Sequence, residues 1–261
     1  MRSLRLAIGL LTVIPVGDVG DVDRRVAGRA MMWAPAVGLV LGGLGAVIAW
    51  TVHALVPPPL GARLASVLAI STLVYLTRAL HLDGLADTAD ALGSGKAAAD
   101  ALAIAHRGDV GPFGVVAVLI IVLIQVASLA VLVSAGSGAI ALVLAVATGR
   151  LAATLACARG IAAARPGGLG ALVAGTVPRW AVLAWALALV LAALAAGTAL
   201  TTTPPWSLPL GVGAGLVVAA LMVRRAVRRL NGVTGDVMGA AVESATTALL
   251  LTAALTATVG A

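Results

Sequence analysis

Three aspartates stand close together in an otherwise apolar chain. The stretch "ALHLDGLADTADALGSG", residues 79–95, contains Asp83, Asp87 and Asp90. In a helix over 83–92, the i,i+4 and i,i+3 spacings put all three carboxylates on one face, about 10 Å from end to end. Carboxylates this close repel one another unless a cation lies between them. Such oxygen ligands suit Mg²⁺ or Mn²⁺, so the spacing predicts a divalent-metal site that leaves positions open for a phosphorylated substrate.

A solvated helix face is the alternative interpretation of these acids. Two observations favour the metal site. The acids come directly after an apolar segment, which places them at a membrane surface, and Gly84 inside the motif permits close approach of another backbone.

A second polar cluster follows another apolar segment. The stretch "RRLNGVTGDVMGAAVE", residues 228–243, contains Thr234, Asp236 and Glu243. Glu243 falls where the last apolar segment begins, an expensive place for an isolated carboxylate, so we expect it to have a partner. Two acidic clusters on one side of a membrane predict a bipartite metal site, with Asp236 joining the three aspartates. Metal sites of this kind support phosphoryl transfer.

Several nearby side chains are candidates for binding phosphate or moving a proton. Arg78, Arg107 and Arg224 have guanidinium groups suited to phosphate, although each is also explained by the usual excess of arginine in cytoplasmic loops. His81 stands two residues before Asp83 and is a candidate general base for an attacking hydroxyl. A plain interfacial role for His81 is the alternative.

The composition indicates that membrane helices position these residues. Of the 261 residues, 61% are hydrophobic and 10% are charged, whereas soluble domains carry about 25% charged residues. A bilayer core requires about 20 apolar residues per helix. Seven apolar segments have about this length, at roughly 31–56, 60–79, 113–135, 138–158, 180–200, 207–223 and 237–259.

The predicted fold is therefore all-α. We expect a polytopic membrane bundle of about six to seven transmembrane helices, forming a single catalytic domain over residues 1–261. The apolar stretch Leu6 to Val16 is too short to span and predicts an interfacial or re-entrant N-terminal helix. Glycine pairs at 38 and 42, and at 211 and 215, favour close helix packing. The single cysteine, Cys157, is interpreted as a small core residue.

The arginines indicate sidedness. With the N-terminus inside, the loops at 17–30, 80–112, 159–179 and 224–236 face the cytoplasm and, together with the first few residues, hold nearly all the arginines. Arg63 alone falls in an outside loop, and Arg150 lies inside a span. This bias explains the net charge of +7, so nucleic-acid binding is not expected. Both acidic clusters then face the cytoplasm.

The two acidic motifs and three further segments resemble the cobalamin synthases, the adenosylcobinamide-GDP ribazoletransferases. "TRALHLDGLADTADALGSG" resembles the family signature, and "LNGVTGDVMGA" resembles its C-terminal signature. "LRLAIGLLTVIPVG", "WAPAVGLVLGG" and "DVGPFG" are similar to further family elements, in the family's order along nearly the whole chain. The family often has Gly-Gly before the Leu-His, where this chain has Arg78 and Ala79. An acid expected three residues after Glu243 is replaced by Thr246.

The resemblance implies an Mg²⁺-dependent enzyme of the bacterial inner membrane. Such enzymes join adenosylcobinamide-GDP to α-ribazole, or to its 5′-phosphate, and release GMP. Carried over by motif, the site contains His81, Asp83, Asp87, Asp90, Thr234 and Asp236. The lipid bilayer is an implied partner, and association of copies as a homo-oligomer stays open.

Two rival interpretations fit less well. The CDP-alcohol phosphotransferases are also helical, acid-rich membrane enzymes, but their motif has Ala-Arg after Asp-Gly-x-x and a different aspartate spacing. A cation transporter would place acids inside its spans, where only Glu243 comes close. Arg150 is the one basic candidate for such a role.

Overall fold

The computed structural model describes residues 1–106, 108–200 and 203–258. These residues form eleven helices: α1 (Arg2–Leu11), α2 (Arg24–Leu55), α3 (Leu60–Leu76), α4 (Leu80–Gly93), α5 (Ala98–Ala105), α6 (Pro112–Ser134), α7 (Gly138–Ala156), α8 (Gly168–Val173), α9 (Arg179–Ala199), α10 (Ser207–Leu230) and α11 (Gly235–Thr258). The only β-structure in the described part of the chain is two isolated β-bridges. The all-α prediction is confirmed.

Six helices are long and apolar enough to cross a membrane: α2, α6, α7, α9, α10 and α11. The pair α3 and α4 meets the same test together, with a bend of 86° between them, which raises the number to seven. The expected six to seven spans are therefore confirmed. Helix α4 follows the bend and is about 21 Å long, so it is too short to cross the roughly 30 Å hydrocarbon core by itself.

Close helix contacts at glycine build the core. A Cβ at Gly38 or Gly42 would lie 2.8 Å or 2.7 Å from a Cα atom of α7, so α2 and α7 pack backbone to backbone. Gly211 and Gly215 bring α10 equally close to carbonyl oxygens of α11. Both predicted small-residue pairs are helix contacts. Cys157 is fully buried and free, as expected of a core residue.

The bend between α3 and α4 has an unusual backbone. Arg78 and Ala79 both have φ of +55°, a left-handed conformation that costs non-glycine residues roughly 1–2 kcal/mol each. The Ala79 amide donates to the Val74 carbonyl at 2.8 Å and closes the turn. These are the two positions where the family that the chain resembles often has glycine, so the sequence difference falls on two residues with a left-handed backbone.

Helix α1 is short, as the sequence predicts, and its ten residues cannot span. It is amphipathic: Ala7 and Leu11 are buried, whereas Arg2 and Arg5 are exposed and donate to backbone carbonyls of residues 16–21. The chain beyond α1 is attached to the bend, because the Val13 amide donates to the Leu76 carbonyl at 2.8 Å.

Candidate active site

The two acidic motifs meet at one end of the bundle. Helix α4 runs against the start of α11, and glycine in each helix makes the approach possible. A Cβ at Gly84 would lie 2.8 Å from the Asp236 carbonyl oxygen, and one at Gly239 would lie 3.1 Å from the Cα of His81. The predicted proximity of Asp83 and Asp236 is confirmed, since both line the same cavity.

That cavity has a volume of about 180 Å³. Its polar lining consists of His81, Asp83, Arg165 and Asp236, and we call it the acidic cavity. Apolar residues complete the wall, among them Leu10 and Leu11 of α1, Met31 of α2 and Met238 of α11. Six helices and one loop therefore contribute to a single small site.

Asp87 lies one helical turn beyond Asp83 and is close to several other carboxylates. Partial burial, the largest cause, together with the charges of Asp83, Asp236 and Asp90, raises the pKa of the Asp87 carboxyl to about 6. The positive charge of Arg165 acts in the opposite direction. Carboxylates this close disfavour one another's ionisation, so the site has an excess of negative charge that one arginine does not balance.

Thr234 fixes the position of Asp236 at the start of α11. Its hydroxyl oxygen accepts from the Val237 amide at 3.2 Å, an N-terminal cap. The same hydroxyl lies 3.1 Å from an Asp236 carboxylate oxygen and donates to it. Thr234 is buried, so its contacts are with the protein. The structure gives Thr234 a positioning role, and its contact with substrate stays a prediction.

Arg165 is the residue that sequence reasoning missed. The loop that carries it is attached to the segment before α11: the Ala164 amide donates to the Val233 carbonyl at 3.0 Å, and the Val233 amide donates to the Ala162 carbonyl at 2.9 Å. Gly232 allows this contact, because a Cβ there would lie 2.5 Å from the loop backbone. The only signal in the sequence was its place in a loop assigned to the same side as both motifs.

Asp90 binds the start of α6 and does not face the acidic cavity. Its two carboxylate oxygens accept from the amides of Gly111 and Gly114, at 2.7 Å and 3.0 Å, at the start of α6. The carboxylate thus satisfies free amides and the positive end of a helix dipole. It is buried and does not line the acidic cavity. This geometry argues against the predicted role of Asp90 as a metal ligand and gives it a structural one.

Two of the three predicted arginines lie apart from the cavity. Arg78 is exposed and donates to the Gly9 carbonyl at 3.1 Å, so it fastens α1 to the bend. Arg224 is exposed on α10 and is not part of the cavity wall. Arg107 lies outside the described residues. Arg165 therefore replaces Arg78 and Arg224 as the arginine beside the acids.

A cluster of buried polar side chains lies in the bundle interior, close to α4. Gln125 of α6 donates to the Glu243 carboxylate at 2.8 Å and to the Thr247 hydroxyl at 3.0 Å. The expected partner of Glu243 is thus an amide. Arg150 and Leu82 line the same narrow cavity as this pair. His81 is buried nearby, and its Nδ1 atom has no hydrogen-bond partner within the described residues.

The donor set fits a hard divalent cation held by few protein ligands. Within residues 1–106, 108–200 and 203–258, no three His, Cys, Asp or Glu side chains are placed to enclose an ion by themselves. Mg²⁺, however, is usually bound through one or two carboxylates, with water and substrate phosphates completing the octahedron. Asp83 and Asp236 on the cavity wall, with Asp87 beside them, meet that requirement.

Fold and site together define a polytopic helical membrane protein with an acidic, arginine-containing cavity between α4 and α11. The chain belongs to the cobalamin-5-phosphate synthase family, which it matches over residues 3–254.

Three of its relatives are named adenosylcobinamide-GDP ribazoletransferase. The protein of Frankia casuarinae is 42% identical over 274 residues, covering 98% of this chain and 95% of that protein. The protein of Nocardioides sp. is 42% identical over 247 residues, covering 95% and 96%. That of Ectopseudomonas mendocina is 35% identical over 256 residues, covering 98% and 99%. No solved structure matches the chain.

Proposed function

We propose that this protein is an adenosylcobinamide-GDP ribazoletransferase that performs its chemistry in the acidic cavity. It joins adenosylcobinamide-GDP to α-ribazole, or to α-ribazole 5′-phosphate, and releases GMP. The product is adenosylcobalamin or its 5′-phosphate. The observation that carries the proposal is the meeting of both acidic motifs, far apart in sequence, around one cavity in a chain of this family.

The reaction exchanges one bond to phosphorus for another. A hydroxyl oxygen of α-ribazole attacks the phosphorus that bears the corrinoid, and a new phosphate ester bond forms. The anhydride bond to GMP breaks, and GMP leaves with the bonding electrons. The attacking hydroxyl loses its proton to a base. The protein must therefore hold a diphosphate, align the hydroxyl and accept one proton.

The residues of the acidic cavity supply these roles. Arg165 binds the diphosphate, since a guanidinium group donates two parallel hydrogen bonds to phosphate oxygens. His81 on the same wall accepts the hydroxyl proton, and an aspartate free of metal is the alternative base. Thr234 fixes the orientation of the Asp236 carboxylate by donating a hydrogen bond to it.

The acids hold Mg²⁺ in this proposal. Asp83, Asp87 and Asp236 are the ligands supported by their placement, whereas Asp90 is committed to the amides of α6. Bound Mg²⁺ would neutralise diphosphate charge, which the crowded carboxylates otherwise repel. Partial burial and the charges of the neighbouring acids together raise the pKa of Asp87, and this crowding of carboxylates supports a cation here.

The proposed location is the bacterial inner membrane, with the acidic cavity facing the cytoplasm. The support is the distribution of arginine, which favours the cytoplasmic side of a helical membrane protein. Arg24, Arg159, Arg165, Arg179 and Arg229 all lie at helix ends or in loops on the side of the bundle that carries the cavity.

One assay tests the proposal directly. Membranes containing the protein are supplied with adenosylcobinamide-GDP, α-ribazole and Mg²⁺, and GMP and the joined corrinoid are quantified. We expect both products in equal amounts, and loss of both in Asp236→Asn. Asp100→Asn is the matched control, because Asp100 is an exposed acid of α5 away from the cavity. No GMP from well-inserted wild-type protein would refute the proposed function.

A further inference from the structure

A second, larger cavity lies on the outside of the bundle, between α1, α2 and α9. Its volume is about 710 Å³, and we call it the N-terminal groove. Three of the five tryptophans of the chain line it: Trp33, Trp180 and Trp185. Trp33 and Trp180 are 45% and 65% exposed, whereas Trp185 is anchored by donating to the Met32 carbonyl at 3.0 Å. The groove is thus an aromatic, mostly apolar surface that the described chain leaves open.

A cation lies in the wall of this groove. Arg29 of α2 is exposed there and makes no hydrogen bond or ion pair with any of the described residues. Tryptophan is typical of the membrane–water interface, and arginine there attracts the anionic lipids of the cytoplasmic leaflet. No acid lines the groove within the described chain, so its charge complements an anionic headgroup and its apolar wall complements acyl chains.

The groove and the acidic cavity share one helix. The N-terminal end of α1 lines the groove through Ser3 and Leu4, together with the preceding Met1, and its C-terminal end lines the acidic cavity through Leu10 and Leu11. A ligand that fills the groove therefore contacts the same ten-residue helix that forms part of the catalytic wall. Because isolated helices this short are marginally stable, the position of α1 depends on what it packs against.

We infer that the N-terminal groove binds an anionic phospholipid, and that this lipid holds α1 in the position in which it closes the acidic cavity. The lipid headgroup pairs with Arg29, and its chains pack on the tryptophans and on α9. The first half of the inference is independent of the enzyme's reaction. The second half rests on the proposed function.

Fluorescence quenching by brominated lipids tests the binding. Replacing Trp50 and Trp206, which do not line the groove, by Phe leaves only the three groove tryptophans. In vesicles of neutral phosphatidylcholine, the same small fraction of lipid is brominated phosphatidylglycerol or brominated phosphatidylcholine. We expect stronger quenching by the brominated anionic lipid, and Arg29→Gln should reduce this preference about fivefold, the loss of one arginine–lipid attraction.

Arg63→Gln is the matched control, since Arg63 lines a different groove beside Pro59 and α6; it should keep the preference. Equal quenching by both lipids would overturn the anionic site. Protection of the three tryptophans from either lipid would also overturn it, and would point to a second copy of the chain as the occupant.

Transfer activity tests the role of α1. Wild-type protein in phosphatidylcholine vesicles should gain turnover when phosphatidylglycerol is added, and Arg29→Gln should lose most of that gain while Arg63→Gln retains it. Soluble inorganic phosphate should not substitute for the lipid. Wild-type protein inactive in every lipid would count against the proposed function, while quenching would still decide the binding. Activity equal in both vesicle types, with the quenching preference present, would overturn the link through α1.

Discussion

Asp87 combines partial burial with three neighbouring acids, which together raise the pKa of its carboxyl to about 6. Asp87→Asn keeps the shape of the side chain and removes one carboxylate charge. We expect the Mg²⁺ concentration for half-maximal transfer to rise at least about tenfold, a typical effect of weakening a metal site, and turnover to fall. An Mg²⁺ titration of transfer checks this, with Asp100→Asn as the control. An unchanged Mg²⁺ requirement at near wild-type rate would show that the aspartates are only a solvated face.

Arg165 is predicted to bind the diphosphate. Hydrogen bonds to charged groups are each worth about 1.5–3 kcal/mol, so Arg165→Ala should lower kcat/KM for adenosylcobinamide-GDP by roughly 10- to 150-fold. Arg165→Lys keeps the charge without the planar fork and should be intermediate. Arg225→Ala removes an exposed arginine of α10 and should change little. Equal losses in the Arg165 and Arg225 variants would indicate a general charge effect rather than a specific contact.

The contact between α4 and α11 requires a residue without a side chain at position 84. Gly84→Ala places a methyl 2.8 Å from the Asp236 carbonyl oxygen, and overpacking of this kind costs about 1–3 kcal/mol. We expect lower unfolding free energy and a loss of transfer, because α4 must move away from Asp236. Gly43→Ala is the control: its Cβ would meet nothing within 4 Å, and alanine favours the helix. If Gly84→Ala proved as stable and as active as Gly43→Ala, the helix contact would be wrong.

At the bend before α4 the informative change introduces a glycine instead of removing one. Ala79→Gly relieves a left-handed φ of +55°, worth about 1–2 kcal/mol, against roughly 0.5–1 kcal/mol for the extra freedom of unfolded glycine. The net expectation is stabilisation by up to about 1.5 kcal/mol, measured by denaturant titration of the detergent-solubilised protein. Ala86→Gly, in the buried middle of α4, should destabilise. Destabilisation by both changes would mean that the bend does not strain Ala79.

The elements divide into those that the sequence predicts and those that it does not. Apolar length predicted the spans, because burial in lipid constrains every residue of a span. Glycine spacing predicted close packing on α2 and α10, but the partner helices, α7 and α11, come from the structure alone. The short helices α5 and α8 were not predicted, since six to eight residues carry too little periodicity. Arg165 was missed because its place depends on backbone bonds to residue 233. Asp90 was assigned to metal because helical spacing does not show that one of three aligned acids caps another helix.

At the scale of the whole molecule, sidedness is the prediction to check. Cys157 is fully buried, so an impermeant thiol reagent has no exposed native target among the described residues. In intact cells, Lys96→Cys, in the exposed loop after α4, should stay unlabelled until the membrane is permeabilised, whereas Arg63→Cys at the opposite end should be labelled at once. Labelling of Lys96→Cys from outside would invert the proposed topology and place the acidic cavity on the other face.

The pairing of α4 with α11 also sets when the protein first becomes competent during its own synthesis. Asp83 and Asp236 are separated by 153 positions, 236 minus 83, so at translation rates of roughly 5–20 residues per second about 8–30 s pass between them. During that interval Gly84 has no Asp236 backbone to pack against, and the loop carrying Arg165 lacks the segment to which it bonds. A ribosome-bound chain therefore inserts most of its spans before the acidic cavity is complete. Under the proposed function, catalysis begins only when the last helix has entered the membrane.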